Sequence, residues 1–267
     1  VEKFSKVLTA IGMEETASIL RNDPSVYEEE PFNAQKTWIE YVNRLFGFLA
    51  GNAMLLVFFW LVLFYRRSKL LWICGVNLIF MGFQAWFGSI VVATNLVPWT
   101  ITVHLFFALL IIAIQIYVIV LASKENSVFQ RFSLSKGMFL MLWGIFAITF
   151  YQMFLGTQVR EGIDLLIKNG VAQDAWTEGV GLPFYIHRSF SWLVLVLLLV
   201  VFWMNEQQKQ FSAIRLVFIV LVLELLSGVL LAHFDMPGLV RTAHLLFASI
   251  MFGVLCWFML QARIQKP

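Results

Sequence analysis

Few residues in this chain can do chemistry, and the histidines stand out among them. Four occur, at 104, 187, 233 and 244, and His104, His187 and His244 each lie one to two turns inside the end of a strongly apolar run. Coordinating side chains at such positions in a membrane are rare and usually functional. His187 and His244 fall at matching depth on two helical runs of one four-helix unit. Two imidazoles so placed can bind one iron from opposite sides of a flat macrocycle, so the pair predicts bis-imidazole ligation of a haem. The plainer alternative, a hydrogen bond to a carbonyl of a neighbouring helix, fits a lone histidine better than a recurring pair. His233 belongs to the turn 233–238, has no partner elsewhere and is read as structural.

The recurrence comes from an internal repeat. Gly88-Ser-Ile-Val-Val-Ala, Pro98 and Val103-His104-Leu105-Phe106-Phe107-Ala108 parallel Gly228-Val-Leu-Leu-Ala, Pro237 and Ala243-His244-Leu245-Leu246-Phe247-Ala248, with 16 residues from glycine to histidine in both. Gln84, four residues before Gly88, matches Glu224, four before Gly228. Asn43-Arg44-Leu-Phe matches His187-Arg188-Ser-Phe, at intervals of 61 and 57 residues from the histidine that closes each unit. The first unit therefore sets His104 opposite Asn43, and an amide is a poor iron ligand beside an imidazole. An open iron position on that side would suit a site that admits a substrate or oxygen; loss of an ancestral ligand is the other reading.

Glu40 lies one helical turn before Asn43 and on the same face. A carboxylate there could accept protons during an oxidation or serve only as a solvated acid near a helix start. Arg44 and Arg188 each follow a ligand-position residue directly and could pair with haem propionates or merely snorkel to the interface. Glu224 is an acid in mid-span and needs a partner or a proton.

The elements that must position these residues are membrane helices. Of 267 residues 60% are hydrophobic and 13% charged, with a mean hydropathy of +0.82, far from the roughly 45–50% and 25% of a soluble domain. Seven runs are long enough to cross a bilayer, near 45–65, 70–93, 99–122, 137–159, 183–204, 212–232 and 239–261. Arg66, Arg67 and Lys69, then Lys124, Arg131 and Lys136, then Lys209, then Arg263 and Lys266 mark one side as cytoplasmic by the positive-inside rule. The connections Thr94 to Pro98, Arg160 to Leu182 and 233–238 then face outward.

This divides the chain into an outer segment 1–44, a first unit 45–122 with three spans, a cytoplasmic connection 123–136, a second unit 137–262 with four spans and a cytoplasmic tail 263–267. The missing counterpart of the Gln152 to Arg160 helix, together with an outside N-terminus that opens on Val, leads us to expect a truncated or processed chain. The expected original is an all-α polytopic membrane protein of two pseudo-symmetric four-helix bundles, the first lacking its first helix here, with ligands between facing helices.

Cys74 and Cys256 are 182 residues apart, both in apolar runs, and read as packing residues. A net charge of +3 is too small and dispersed for a nucleic-acid partner. Phosphate-binding loops, zinc-protease helices and serine elbows are absent.

Several stretches together resemble the heme A synthase family: Trp38-Ile-Glu40-Tyr-Val-Asn43-Arg44-Leu-Phe-Gly47, Gln84-Ala-Trp-Phe-Gly88 with Val103-His104-Leu105, Gln152 to Arg160, His187-Arg188, and Arg241-Thr-Ala-His244-Leu-Leu. The resemblance implies an eight-helix fold with haem b in the second bundle and haem O, the substrate, in the first. The reaction it implies is oxidation of the C8 methyl of haem O to a formyl, giving haem A. On that reading His187 and His244 are the haem b iron ligands, His104 is a ligand in the substrate bundle and Glu40 is the catalytic acid. Asn43 departs from the family pattern, which has a histidine there, and the family's outer-loop cysteine pairs are absent.

The implied setting is the inner (cytoplasmic) membrane, with the N-terminal segment outside and the C-terminus cytoplasmic. Implied partners are the lipid bilayer, haem O, the enzyme that produces it and the cytochrome oxidase assembly machinery, with a homo-oligomer left open. A b-type cytochrome for electron transfer, a non-catalytic haem-binding assembly protein and, last, a repeat-built transporter remain as alternatives.

Overall fold

A computed structural model describes the backbone of all residues except 1, 11, 13, 23–31, 94–97, 126–131, 209–210, 235–236 and 265–267. The loop 94–97, the acidic run Glu28 to Glu30, Asp235 and the basic residues Arg131, Lys209 and Lys266 therefore lie outside the described residues. The chain is an all-α polytopic membrane protein. Among the described residues, seven helices are long and apolar enough to span a bilayer.

The helices are α1 (Glu2–Ala10), α2 (Glu14–Asn22), α3 (Ala34–Phe64), α4 (Lys69–Ala93), α5 (Pro98–Glu125), α6 (Lys136–Lys168), α7 (Trp176–Val180), α8 (Leu182–Gln208), α9 (Ser212–His233) and α10 (Gly238–Gln261). Two short strands, β1 (Phe132–Leu134) and β2 (Ala262–Ile264), pair in parallel, Phe132 opposite Ala262. The chain forms two compact units, Val1–Val118 and Ile119–Pro267.

Two of the spanning helices outrun the apolar segments within them. α3 has 31 residues and α6 has 33, about 46 and 50 Å at 1.5 Å per residue, against roughly 30 Å of hydrocarbon. Apolarity marks only the part in lipid, whereas Thr37, Glu40 and Arg44 in α3, and Arg160 to Lys168 in α6, continue the helix with no proline to stop it. The expected connection 160–182 is thus helical to Lys168. It turns at Gly170, where φ is +70°, and again at Gly181, where φ is +66°, a region that favours glycine.

Trp176 pins this connection by donating its indole N–H to the Val171 carbonyl at 2.9 Å. Val159, Ile163 and Trp176 are buried together there. At the other end of α6, Ser135 caps the helix by accepting from the Met138 N–H at 3.3 Å.

In the second unit α6 packs beside α8 and α10, and α9 beside α8 and α10. Leu142 and Ile145 of α6, Leu198 and Val201 of α8, Val217 and Leu221 of α9 and Leu255 of α10 fill the common core. In the first unit α3 packs on α4, and α4 meets α5 through Asn77, which donates to the Ile111 carbonyl at 3.3 Å and to Gln115 Oε1 at 3.2 Å.

The α1–α2 hairpin is closed by Arg21, which donates to Ser5 Oγ at 3.0 Å and Thr9 Oγ1 at 2.8 Å. Phe4 of α1 stacks on Trp99 and meets Phe87 edge-on, which seats the hairpin at the end of α4–α5 that bears His104.

Candidate functional site

His187 sits in the second turn of α8 and His244 in the second turn of α10. Their ring centres are 6.4 Å apart, with the planes at 69°. Two imidazoles on opposite sides of one metal, each with a metal–nitrogen distance of about 2 Å, have ring centres roughly 6 Å apart, so the pair matches the spacing of a shared ion. Among the described residues no three His, Cys, Asp or Glu side chains cluster as a metal site. An iron held here would bring most of its ligands with it, as a haem iron does.

The surroundings fix the His244 ring and the backbone of His187. His244 Nδ1 lies 3.1 Å from the Glu224 carbonyl and 2.9 Å from Ser227 Oγ, and Ser227 in turn donates to the Glu224 carbonyl at 2.8 Å. A carbonyl only accepts, so Nδ1 carries the hydrogen and Nε2 keeps the lone pair that a metal needs. Nε2 faces Glu224 Oε1 at 3.3 Å. A metal bound at Nε2 requires that carboxyl to turn aside; its other oxygen, Oε2, is buried without a partner.

On α6, Gln152 donates to the His187 carbonyl at 2.7 Å and to Ser191 Oγ at 3.0 Å. His187 Nδ1 itself is buried without a partner, an orphaned polar atom of the kind that marks a site completed by another group.

In the first unit His104 is half-buried on α5. Gln84 of α4 donates to its carbonyl at 3.1 Å, Phe87 stacks on its ring at 6.5 Å, and its Nδ1 is buried without a partner. Asn43 lies exposed on α3, and among the described residues no hydrogen bond joins it to His104. Glu40 and Arg44 form an ion pair at 3.8 Å on the exposed face of α3. Arg188 is exposed, as is His233 at the end of α9.

Two features were not picked out from the sequence. Asp164 of α6 bridges Arg160 of the same helix and Arg241 of α10, each at 3.3 Å; Arg241 lies one turn before His244, so this triad ties α6 to α10 beside the histidine pair. The other is a third copy of the spacing of a Gln or Glu four residues before a Gly, at Gln152 and Gly156. It faces His187 as Gln84 and Gly88 face His104, and the four-residue interval was its available signal.

These elements define an integral membrane protein whose polar chemistry is concentrated on imidazoles set in helix interfaces. The chain belongs to the cytochrome oxidase assembly protein family, whose model matches residues 24–256. It is also 22% identical over 213 residues to a heme A synthase of Bacillus pumilus (strain SAFR-032), covering 73% of this chain and 68% of that protein.

Proposed function

We propose that this chain is a haem-modifying oxidoreductase of the membrane, which binds haem b in the second unit and converts haem O to haem A in the first. The observation that carries this reading is the His187–His244 pair, 6.4 Å between ring centres, with one Nδ1 hydrogen fixed by Glu224 and the other ring unsatisfied. Haem b bound there supplies one-electron transfer. His187 and His244 hold it, and Gln152 and Ser227 hold them.

In the first unit His104 orients the substrate from α5, while Asn43, a weak ligand, leaves the facing side of the substrate open. Glu40 Oε accepts a proton as the C8 methyl is oxidised towards the formyl, an oxidation whose oxygen atom and electron acceptor come from outside this chain, and Arg44 pairs with Glu40 at 3.8 Å. Arg44 and Arg188 pair with the propionates of the two haems. The site lies in the inner membrane, with the N-terminal segment outside and the C-terminus cytoplasmic. The product serves cytochrome oxidase assembly.

The test is expression in cells that make haem O, followed by acid extraction and chromatography of the haems. The wild-type chain is expected to yield haem b with haem O, haem A or a hydroxylated intermediate. Haem b alone would replace this reading with that of an electron-transfer cytochrome, which the His187–His244 pair would also serve.

A further inference from the structure

Three times in the described chain an imidazole lies against a glycine of the neighbouring helix, and each time a glutamine or glutamate stands four residues before that glycine. A Cβ built on Gly88 would lie 3.0 Å from His104 Cε1, one on Gly228 would lie 3.3 Å from His244 Cε1, and one on Gly156 would lie 3.5 Å from His187 Cε1. The residue one turn earlier grips the histidine from the same helix. Gln84 and Gln152 each donate to the carbonyl of the facing histidine, at 3.1 and 2.7 Å. Glu224 offers its own carbonyl to the His244 ring at 3.1 Å.

The grip has two parts with different jobs. The amide or carbonyl fixes the height of the histidine along its helix, and the bare glycine leaves room for the ring edge. Nothing in helix formation asks for glycine at these places; mid-helix glycine costs about 1 kcal/mol relative to alanine. The space it leaves is filled by the imidazole.

We infer that the chain carries three prebuilt imidazole seats, in which Gly88 and Gly228 are positioning residues that set the tilt of His104 and His244, while Gly156 leaves the His187 ring in ordinary contact. This rests on the reading of those histidines as haem ligands. It goes beyond it by tying the geometry of each ligand to the volume of one residue on another helix. It also places His104 of the first unit in a seat built like the other two.

The three clearances order the expected effects. Alanine at Gly88 meets a ring at 3.0 Å, the tightest of the three, and the ring must give by a few tenths of an ångström. At Gly228, 3.3 Å asks the ring to give by a few tenths of an ångström, whereas at Gly156, 3.5 Å is ordinary contact. A ring pushed off its rotamer weakens its bond to iron by roughly three- to tenfold in retention.

The experiment uses the full chain purified with its haems and measures the EPR g values, the midpoint potential and haem retention of Gly88→Ala, Gly156→Ala, Gly228→Ala and Gly228→Val. Gly156→Ala is expected to keep the wild-type haem b signature and Gly228→Ala to shift it. Gly228→Val should lose haem b, and Gly88→Ala should lose haem O retention while keeping haem b. A purely structural glycine would give the reverse pattern, with alanine raising thermal stability and leaving every spectrum unchanged. Unchanged spectra in both Gly228 variants, or a larger shift in Gly156→Ala than in Gly228→Ala, would overturn the proposal. A wild-type chain with no bis-imidazole haem would overturn the ligand reading instead, so the two failures are distinguishable.

Discussion

His244 and His187 are held differently, and the difference sets what single substitutions should do. Ser227→Ala removes one of two partners of His244 Nδ1 but leaves the Glu224 carbonyl at 3.1 Å. A hydrogen bond of this kind is worth about 1 kcal/mol, so haem b should dissociate roughly fivefold faster, measurable by transfer to an apo-acceptor. Glu40 belongs to the first unit, and that pair to the second. Glu40→Gln should therefore keep haem b in full while conversion of haem O falls by about 10²–10⁴, the usual share of a positioned proton acceptor; unchanged turnover would remove its role.

At this scale the chemistry-bearing side chains were legible because they are scarce in an apolar chain. The third seat was not, for a simple reason. Gly156 and His187 are separated by the long connection through Trp176, 31 residues instead of 16, so a fixed spacing could not find it. Ser227 and Asp164 were invisible because the partners that tie them to the site, His244 and Arg241, are on another helix.

Helices are where sequence and structure agree in number and differ in extent. The seven spans were legible as apolar runs, but the polar ends of α3 and α6 were not, since helix continuation depends on the absence of a breaker and not on hydropathy. The connection between α8 and α9 shows how such ends are locked. Asn205, 1% exposed, donates to the Phe211 carbonyl at 3.1 Å and accepts the Phe211 N–H at 2.9 Å, while Arg215 grips Glu206 with both nitrogens at 2.6 and 2.8 Å.

Asn205→Ala strands two backbone groups and is expected to cost about 2 kcal/mol, read as a lower melting temperature of the second unit in detergent. Arg215→Ala, at an exposed pair, should cost under about 1 kcal/mol in the same assay. Equal losses in the two variants would show that the turn is not what locks α8 to α9.

On the scale of the whole molecule, membership in the cytochrome oxidase assembly protein family agrees with the polytopic architecture, and the orientation is open to direct test. Single cysteines placed at Ser68 and Gly170, after replacing Cys74 and Cys256, should react with a membrane-impermeant maleimide from opposite sides. Ser68→Cys should react only in inverted vesicles and Gly170→Cys only in intact cells, as the Arg66, Arg67 and Lys69 cluster requires. The opposite pattern would invert the proposed orientation.

The departure at Asn43 is also decided at this scale, because it makes the two units unlike. Asn43→His should close the open side of the substrate and lower conversion, whereas a gain would identify a chain that had lost catalysis.

One iron shared between α8 and α10 is central to the proposed function, and a comparison of three variants tests it. Purified wild-type, His187→Ala, His244→Ala and His104→Ala proteins are compared by reduced-minus-oxidised spectra and by haem extraction. The expected result is that His187→Ala and His244→Ala each lose the same low-spin haem b, while His104→Ala keeps it and loses haem O. Retention of low-spin haem b in either of the first two, or its equal loss in all three, would contradict the assignment.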